Sequence, residues 1–528
     1  MKKDTLIMIL LPVIMISLAT HGIAQQPEFT KVYYDGAGSV QAYAIVKTSS
    51  NDLLVAGYCD NKPYAMMLDP QGNILWANSY GSDNGNIFSI APTNDGDFIL
   101  AGNMTPSGST QDDILLIRIT PGGDTVWSKT ADLGFIDKAM FVMQTSDNGF
   151  LLTGYSRNSA VPHYKSFVMR LDSTVSLIWV KTFYTGSYYN YLYSAAENQD
   201  GSFLLAGSAG NGNLISGGAL LMKLTSSGDV IWSKKQGVTF PNSSSGNDLK
   251  IFPDGIIWYL TDTNSQMALL KTDLSGNFLW CKSYDVTGAY SADLPSAKLH
   301  ITPDGGFIFV NGSINLYYPM GTMVKVDSDG NGTWSKNIYL ISADVVRSDD
   351  NGYVVAGNGP LMGVDMSQPQ TPQVGLIKFD SAGNTLGCAD NMTIYTTSQT
   401  LPLNTVSLTT GTAGVITAYH PLVTAVSLGT DSSCVAVIGV VAEQRDACPL
   451  IVIPNPSDGI FRLDLHSTEN ERISSIRIFN RMGSQVFESD TRENQELAFN
   501  LEFLPTGIYE ILAFAGSHSY ARKMMIIR

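Results

Sequence analysis

Short apolar runs of four to six residues alternate with turns rich in Gly, Asp and Asn along most of this chain. Residues 93–129 show the unit: the turn Asn94-Asp95-Gly96-Asp97, then Phe98-Ile99-Leu100-Ala101-Gly102, then a polar loop before Ile114-Leu115-Leu116-Ile117-Arg118-Ile119. A second turn, Thr120-Pro121-Gly122-Gly123-Asp124, leads to Val126-Trp127-Ser128-Lys129. Seven copies can be counted by the first turn: Asn51-Asp52, Asp95-Gly96, Asn148-Gly149, Asp200-Gly201, Asp254-Gly255, Asp304-Gly305 and Asn351-Gly352. These dipeptides predict type I′ hairpins, whose two central positions both need positive φ. Runs such as Phe203-Leu204-Leu205-Ala206 are apolar without alternation, as strands buried on both faces are, and too short for buried helices. Four short strands per copy, repeated seven times at a fixed period, predict an all-β chain built on a seven-bladed β-propeller.

Each of six copies carries a tryptophan after its second turn (Trp76, Trp127, Trp179, Trp232, Trp280, Trp334), 48 to 54 residues apart. A large ring recurring at one place in every blade predicts packing between blades rather than sugar-stacking platforms. The seventh copy has Gly387 where the tryptophan is expected. At the other end, Phe29-Thr30-Lys31-Val32-Tyr33-Tyr34 looks like a fourth strand without a third. It is expected to complete blade seven, with Phe29 in the tryptophan's place, and so to remove the sheet edges at the seam. The segment Asp327-Ser328-Asp329-Gly330-Asn331-Gly332 imitates the start of an EF-hand loop, but Ile338 stands where the closing Glu belongs. It falls in register with the second turns and is expected to be one.

From 389 to 449 the texture changes. No Lys or Arg occurs between Lys378 and Arg445, and Thr, Ser and Val dominate, so we expect an extended, semi-ordered linker beyond the propeller (25–388). Alternation resumes in the last domain, 450–528, where Phe461, Leu463 and Leu465 interleave with Arg462, Asp464 and His466. Short strands at turn-punctuated intervals there predict an Ig-like β-sandwich.

Composition then narrows the destination. Lys2 and Lys3, an apolar stretch from Leu6 to Ala19, and Gly22-Ile23-Ala24 read as a signal peptide over residues 1–24, with no cysteine beside the cleavage point. No later segment is apolar enough to span a membrane. The net charge of −15 excludes an electrostatic grip on nucleic acid. Five cysteines in an exported chain leave at least one unpaired, and Cys388 and Cys434, which bracket the linker, are the candidate disulfide. No CxxC pair, Gly-x-Ser-x-Gly elbow, His-Glu-x-x-His helix or phosphate-binding glycine loop is present, so no cofactor, metal ligand or catalytic residue is assigned.

The pattern Thr-x-Asp-Gly-Gly-Phe, Ala-Gly, Ile-Lys-x-Asp-x-x-Gly-Asn-x-x-Trp-x-Lys resembles propeller repeats of large exported bacterial proteins, over about residues 27 to 388. Its Asp-x-x-Gly-x-x-x-Trp part is also similar to quinoprotein dehydrogenases, but the vicinal cysteines of those enzymes are missing here. The last domain resembles the type A C-terminal sorting domain of type IX secretion substrates. The resemblance is carried by Pro454-Asn455-Pro456 with Gly459, by Gly483 and Val486, by Leu504, Gly507 and Tyr509, and by Lys523 in the final strand. Ile453 and Asn480 depart from the usual Tyr and Asp. It implies the type IX machinery as partner and delivery through a Gram-negative outer membrane, with the protein secreted or held at the cell surface.

Both tight turns of a copy must lie on one face of the ring, so the variable connections share the other. That face is rich in tyrosine: Tyr58, Tyr64, Tyr155 and Tyr164, then Tyr184, Tyr188, Tyr189, Tyr191, Tyr284, Tyr290, Tyr317 and Tyr318. We expect the last eight to mark the ligand face of a non-enzymatic binding or adhesion module for glycan or protein. The alternative is a propeller enzyme, a glycan hydrolase or lyase, with carboxylates converging across the ring.

Overall fold

The computed structural model describes residues 28–431 and 450–526 apart from short stretches within each, of which 286–297 and 360–372 are the longest; the signal segment 1–24 lies outside them. Among the described residues the regular elements are all strands. Seven five-stranded antiparallel sheets are present: six have four consecutive strands plus a fifth from elsewhere, and the seventh has three consecutive strands plus two from elsewhere. Blade 2, for example, contains Asn84–Pro92, Phe98–Thr105, Asp113–Ile119 and Thr125–Asp132. The first strand of each blade packs against the first strand of the next, and that of blade 7 (Ile341–Arg347) returns to that of blade 1 (Val40–Lys47). The ring is therefore closed, and the fold is a β-propeller.

The seam closes as expected. Thr30–Tyr34 pairs antiparallel with Val374–Phe379 as the fourth strand of blade 7. The ring of Phe29 then lies against Gly72, as the ring of Trp76 lies against Gly123, Trp179 against Gly228 and Trp334 against Gly383. A Cβ on Gly123 would stand 3.0 Å from the Trp76 ring, so the contact requires glycine twice, for space and for its φ of 86°. Indole nitrogens complete two of these contacts: Trp76 Nε1 donates to the Pro121 carbonyl (2.9 Å) and Trp179 Nε1 to that of Ser226 (3.1 Å).

The turns differ from the type I′ expectation. In the first turn only one residue is left-handed, Asn51, Gly96, Asn148, Gly201, Gly305 or Asn351. The Gly96 amide donates to Thr93 and the Thr93 amide to Asp97, which is a three-residue loop closed by a single positive-φ residue. The turn aspartate has a second duty. Asp95, Asp147, Asp200, Asp254, Asp304 and Asp350 pair with Arg118, Arg170, Lys223, Lys271, Lys325 and Lys378 on the third strand of the same blade. Blade 1 has Met67 at the cation's position, opposite Leu54. The segment 327–331 is a second turn, as expected: Asp327 Oδ1 accepts the amides of Asp329 (3.0 Å) and Asn331 (2.7 Å).

Residues 389–431 do not form the expected linker. They supply the fifth strand of every blade, pairing antiparallel with the outermost strand in the order blade 6, 5, 4, 3, 2, 1, 7. The residues opposite equivalent fourth-strand positions are Ala389, Thr396, Leu403, Thr410, Ile416, Val423 and Thr430. The step is thus seven residues, once six, an extended reach of about 23 Å. This belt satisfies the backbone groups of what would otherwise be seven open sheet edges. Cys388 and Cys434 lie outside the described residues.

The C-terminal domain has a three-stranded sheet (Leu450–Ile453, Ile460–Leu465, Ala498–Asn500) and a four-stranded sheet (Gln485–Asp490, Ile473–Phe479, Gly507–Ala515, His518–Ile526). One core of Phe461, Leu463, Ile476, Ile478, Ile511, Met524 and Ile526 joins the two sheets, so Phe461 and Leu463 of the alternating run point inward.

Candidate functional site

The first strand of six blades carries a bulge at one place, at Tyr43, Phe88, Met140, Tyr193, Asn247 and Ala343. The next residue reaches the neighbouring blade: Ser89 Oγ accepts the Val142 amide (3.1 Å) and Asp344 Oδ2 the Ile45 amide (3.3 Å). Asp248 accepts Ser194 Oγ (2.5 Å), the Leu299 amide (3.0 Å) and Lys250 Nζ (2.9 Å). Burial pushes its carboxyl up, but Lys250 and Lys298 outweigh that and hold it well below the usual carboxylate range. These contacts bind the innermost strands to one another and fix where the bulged side chains stand.

In blade 4 this arrangement builds an aromatic cluster against blade 3. Tyr155 and Arg157 are two apart on the second strand of blade 3, and Tyr164 on the third strand pairs with Arg157, so all three share a face. Tyr191 meets Tyr155 edge-on (ring centroids 4.7 Å apart) and lies 5.4 Å from Tyr164. Tyr164 and Tyr189 are stacked at 5.5 Å, Tyr191 and Tyr193 at 6.0 Å. The rings of Tyr155, Tyr164, Tyr189 and Tyr193 thus converge on Tyr191, whose hydroxyl is raised far above its ordinary value by burial, then by the nearness of the other phenols. Tyr191 is buried, whereas Tyr155, Tyr164, Tyr189 and Tyr193 are half-buried.

The other expected ligand-face residues distribute differently. Tyr184 faces away from this cluster, with its ring 5.7 Å from His163. Tyr284 is fully buried and donates to the Gly330 carbonyl (2.8 Å), and Tyr33 and Tyr80 do the same to Gly72 (2.7 Å) and Gly123 (3.1 Å). Tyr284 is thus an inter-blade residue, four after its tryptophan, and Tyr64 is also fully buried. Tyr188, Tyr290, Tyr317 and Tyr318 lie outside the described residues. Sequence reading missed Tyr193 and Arg157; the spacing of Tyr189, Tyr191 and Tyr193 at period two could have shown that they belong together.

Between blades 2 and 3 four carboxylates gather: Asp113, Asp132 and Asp137 on the side away from Arg157, and Asp112, which pairs with Lys138 (3.5 Å) and comes near the Tyr155 hydroxyl. Burial, then Asp132 and Asp112, pushes Asp113 up to about 6; burial pushes Asp137 to about 6 as well. Asp137 is fully enclosed and accepts the Leu133 amide at 2.6 Å. Among the described residues, no group of three or more His, Cys, Asp or Glu side chains is placed to hold a metal ion, and no helix is long and apolar enough to cross a membrane.

In the C-terminal domain the Leu-Pro-x-Gly-x-Tyr motif has a physical role. The hydroxyl of buried Tyr509 donates to the Pro505 carbonyl (2.7 Å), and buried Leu504 anchors the same bend in the core. Val486 packs half-buried against that core, while Gly507 pairs with Ile526 and Lys523 with Glu510 in the last two strands. Pro454, Asn455, Pro456, Gly459 and Gly483 lie outside the described residues. Residues 451–527 match the family model of the secretion system C-terminal sorting domain. The chain ends in a type IX sorting domain. That sorting domain marks the protein for export through the outer membrane, to the cell surface or beyond it, with the type IX machinery as its partner.

No curated protein matches the chain. Among solved structures it is similar to Chaetomium thermophilum Sqt1 (11% identity, 66% of this chain and 97% of that one, TM-score 0.36). Drosophila Plexin A in complex with Semaphorin 1b is similar at 9% identity (67% and 88%, TM-score 0.35). PorZ, a surface component of the type IX secretion system of Porphyromonas gingivalis, is similar at 9% identity (92% and 93%, TM-score 0.17).

Proposed function

We propose that the exported propeller is a binding module for extracellular glycan rather than an enzyme, and that the tyrosine cluster between blades 3 and 4 forms the cleft that is its site. The observation that supports this reading is the convergence of five tyrosines from two blades, with Tyr164 and Tyr189 stacked and half-exposed. Phenol rings offer flat apolar faces to the C–H side of a sugar and hydroxyls to its polar rim, at little cost in side-chain entropy. The five tyrosines stand on strands of a rigid closed ring, which holds their rings in place for recognition.

The test is binding of the full-length mature protein to a panel of bacterial, plant and host glycans, with Tyr164→Ala and Tyr189→Ala beside it. Each variant is expected to weaken binding at least tenfold while melting within a few degrees of the parent, since both rings are half-exposed. Binding unchanged in both variants places the site elsewhere.

A second reading, a glycan hydrolase or lyase, draws on Asp113, a part-exposed carboxyl raised to about 6 beside other carboxylates, the setting of a general acid. Glycan cleavage abolished by Asp113→Asn would establish that reading and displace ours.

A further inference from the structure

The cleft contains a cation with nothing to hold. Among the arginines described in the blades, Arg118 is paired with Asp95 and Asp97, Arg170 with Asp147, and Arg347 with Asn351. Arg157 has no ion pair and no side-chain hydrogen bond among the described residues, and its Nε is shut off from solvent without an acceptor. Its one contact of note is with Tyr164, whose ring lies 5.5 Å below the guanidinium. Stacking of that kind holds the plane of the group; Nε is enclosed, so the terminal N–H groups of this part-exposed residue are the edge that a ligand can meet. A buried N–H donor without an acceptor is unfavourable, more so when charged, so the position is costly in the empty protein.

We infer that Arg157 is the specificity residue of the cleft and that its ligand is an anionic glycan, one carrying a carboxylate or sulfate on the sugar ring. The inference rests on the glycan reading above and narrows it. A neutral hydroxyl could accept one hydrogen bond from Arg157 but would leave its charge uncompensated; an oxyanion satisfies the N–H edge in a fork and pairs the charge. In a hexuronate the carboxylate projects directly from the pyranose, so a chain lying over the Tyr164–Tyr189 stack presents carboxylates at its rim, beside the guanidinium.

The protein's own acids do not forbid this. Asp137, with Asp113 and Asp132 beside it, belongs to the other side of the blade 3 sheet, since Asp137 pairs with Ser156 while Arg157 pairs with Tyr164. Asp112 comes near the Tyr155 hydroxyl, but its carboxylate is already paired with Lys138 (3.5 Å). The net charge of −15 is spread over the whole chain and is screened beyond about 8 Å at physiological salt. An acidic peptide would satisfy Arg157 equally well, but it would leave the five convergent phenols with few hydroxyl partners.

Matched polymers test the inference on the full-length mature protein. Polygalacturonate and its methyl ester share a backbone and differ in charge, as do dextran sulfate and dextran; poly-glutamate supplies a peptide anion. At least one charged polysaccharide should bind tenfold or more tightly than its neutral partner, carboxylate and sulfate being told apart by which pair responds. Arg157→Gln should erase that preference with an unchanged melting temperature, and Arg157→Lys should keep only part of it. Equal binding within both pairs, a preference that survives Arg157→Gln, or poly-glutamate binding as tightly as the polysaccharides would overturn the inference. If neutral dextran binds through Tyr164 without any advantage for charge, the glycan reading survives and this one falls. If no polymer binds, both fall.

Discussion

Gly96 and Gly123 are both left-handed, with φ of 92° and 86°, yet a methyl group on the first meets nothing within 4 Å while one on the second meets the Trp76 ring. Gly96→Ala should therefore cost only the backbone strain, about 1–2 kcal/mol. Gly123→Ala should cost that plus about 1–3 kcal/mol of overpacking. Equal losses in denaturant titrations of the two variants would show that the tryptophans do not set the blade spacing. The same distinction explains what was legible at this scale. The tryptophans could be read as inter-blade residues because they recur at a fixed period. Tyr284 could not be told from Tyr191 by residue type alone. Only its place four residues after Trp280, shared by Tyr80 after Trp76 and Tyr33 after Phe29, reveals that its hydroxyl holds the next blade's turn.

Among the elements, Thr30–Tyr34 and the belt do related work at opposite ends of the propeller sequence. A chain beginning at Ala42 leaves blade 7 without its outer strand and should lose cooperative thermal unfolding, whereas one beginning at Gln26 should keep it. Equal melting of the two would remove the closure. A chain ending at Asn384 lacks every fifth strand and bares seven edges, so it should melt lower and self-associate in light scattering, while one ending at Asp431 stays monodisperse. The four-stranded blades were legible because buried runs and glycine turns repeat in strict order. The belt was not, because its pairings are backbone contacts of three to five residues, too short for alternation to show. A faint signal exists in the sequence: Ile394, Leu401, Leu408, Val415, Leu422 and Leu428 recur at six- or seven-residue steps, in time with the blades.

For the whole molecule, two sets of aspartates pull stability in opposite directions with pH. Asp113 and Asp137 titrate near 6 when folded, above the unfolded value of about 3.9, so the stability they contribute is complete in acid and is lost as pH rises through 6. Asp200 and Asp304 are held at about 2, chiefly by Ser202 and by Lys325, so theirs is present above about 4 and is lost as pH falls toward 2. The melting temperature should climb from pH 7 to about 5 and collapse below 4, and the variant Asp113→Asn/Asp137→Asn should flatten the climb; a parent curve that only falls from pH 7 downward contradicts this. Deleting 451–528 should leave a folded propeller behind the outer membrane of the native host, which fractionation would reveal. The reversed threading of the belt carries a mechanical consequence. Its last strand, Gly429–Asp431, lies beside Thr30–Tyr34, and Val32 faces Asp431. Tension between the chain upstream of Thr30 and the chain leading to the sorting domain therefore bypasses six blades and falls on one three-residue ladder, from its open end. Such a load parts the bonds singly, as a zip opens, and each strand released hands the strain to the next blade. Pulled from outside, the ring would come undone in reverse order of its lacing, at a force set by one short seam.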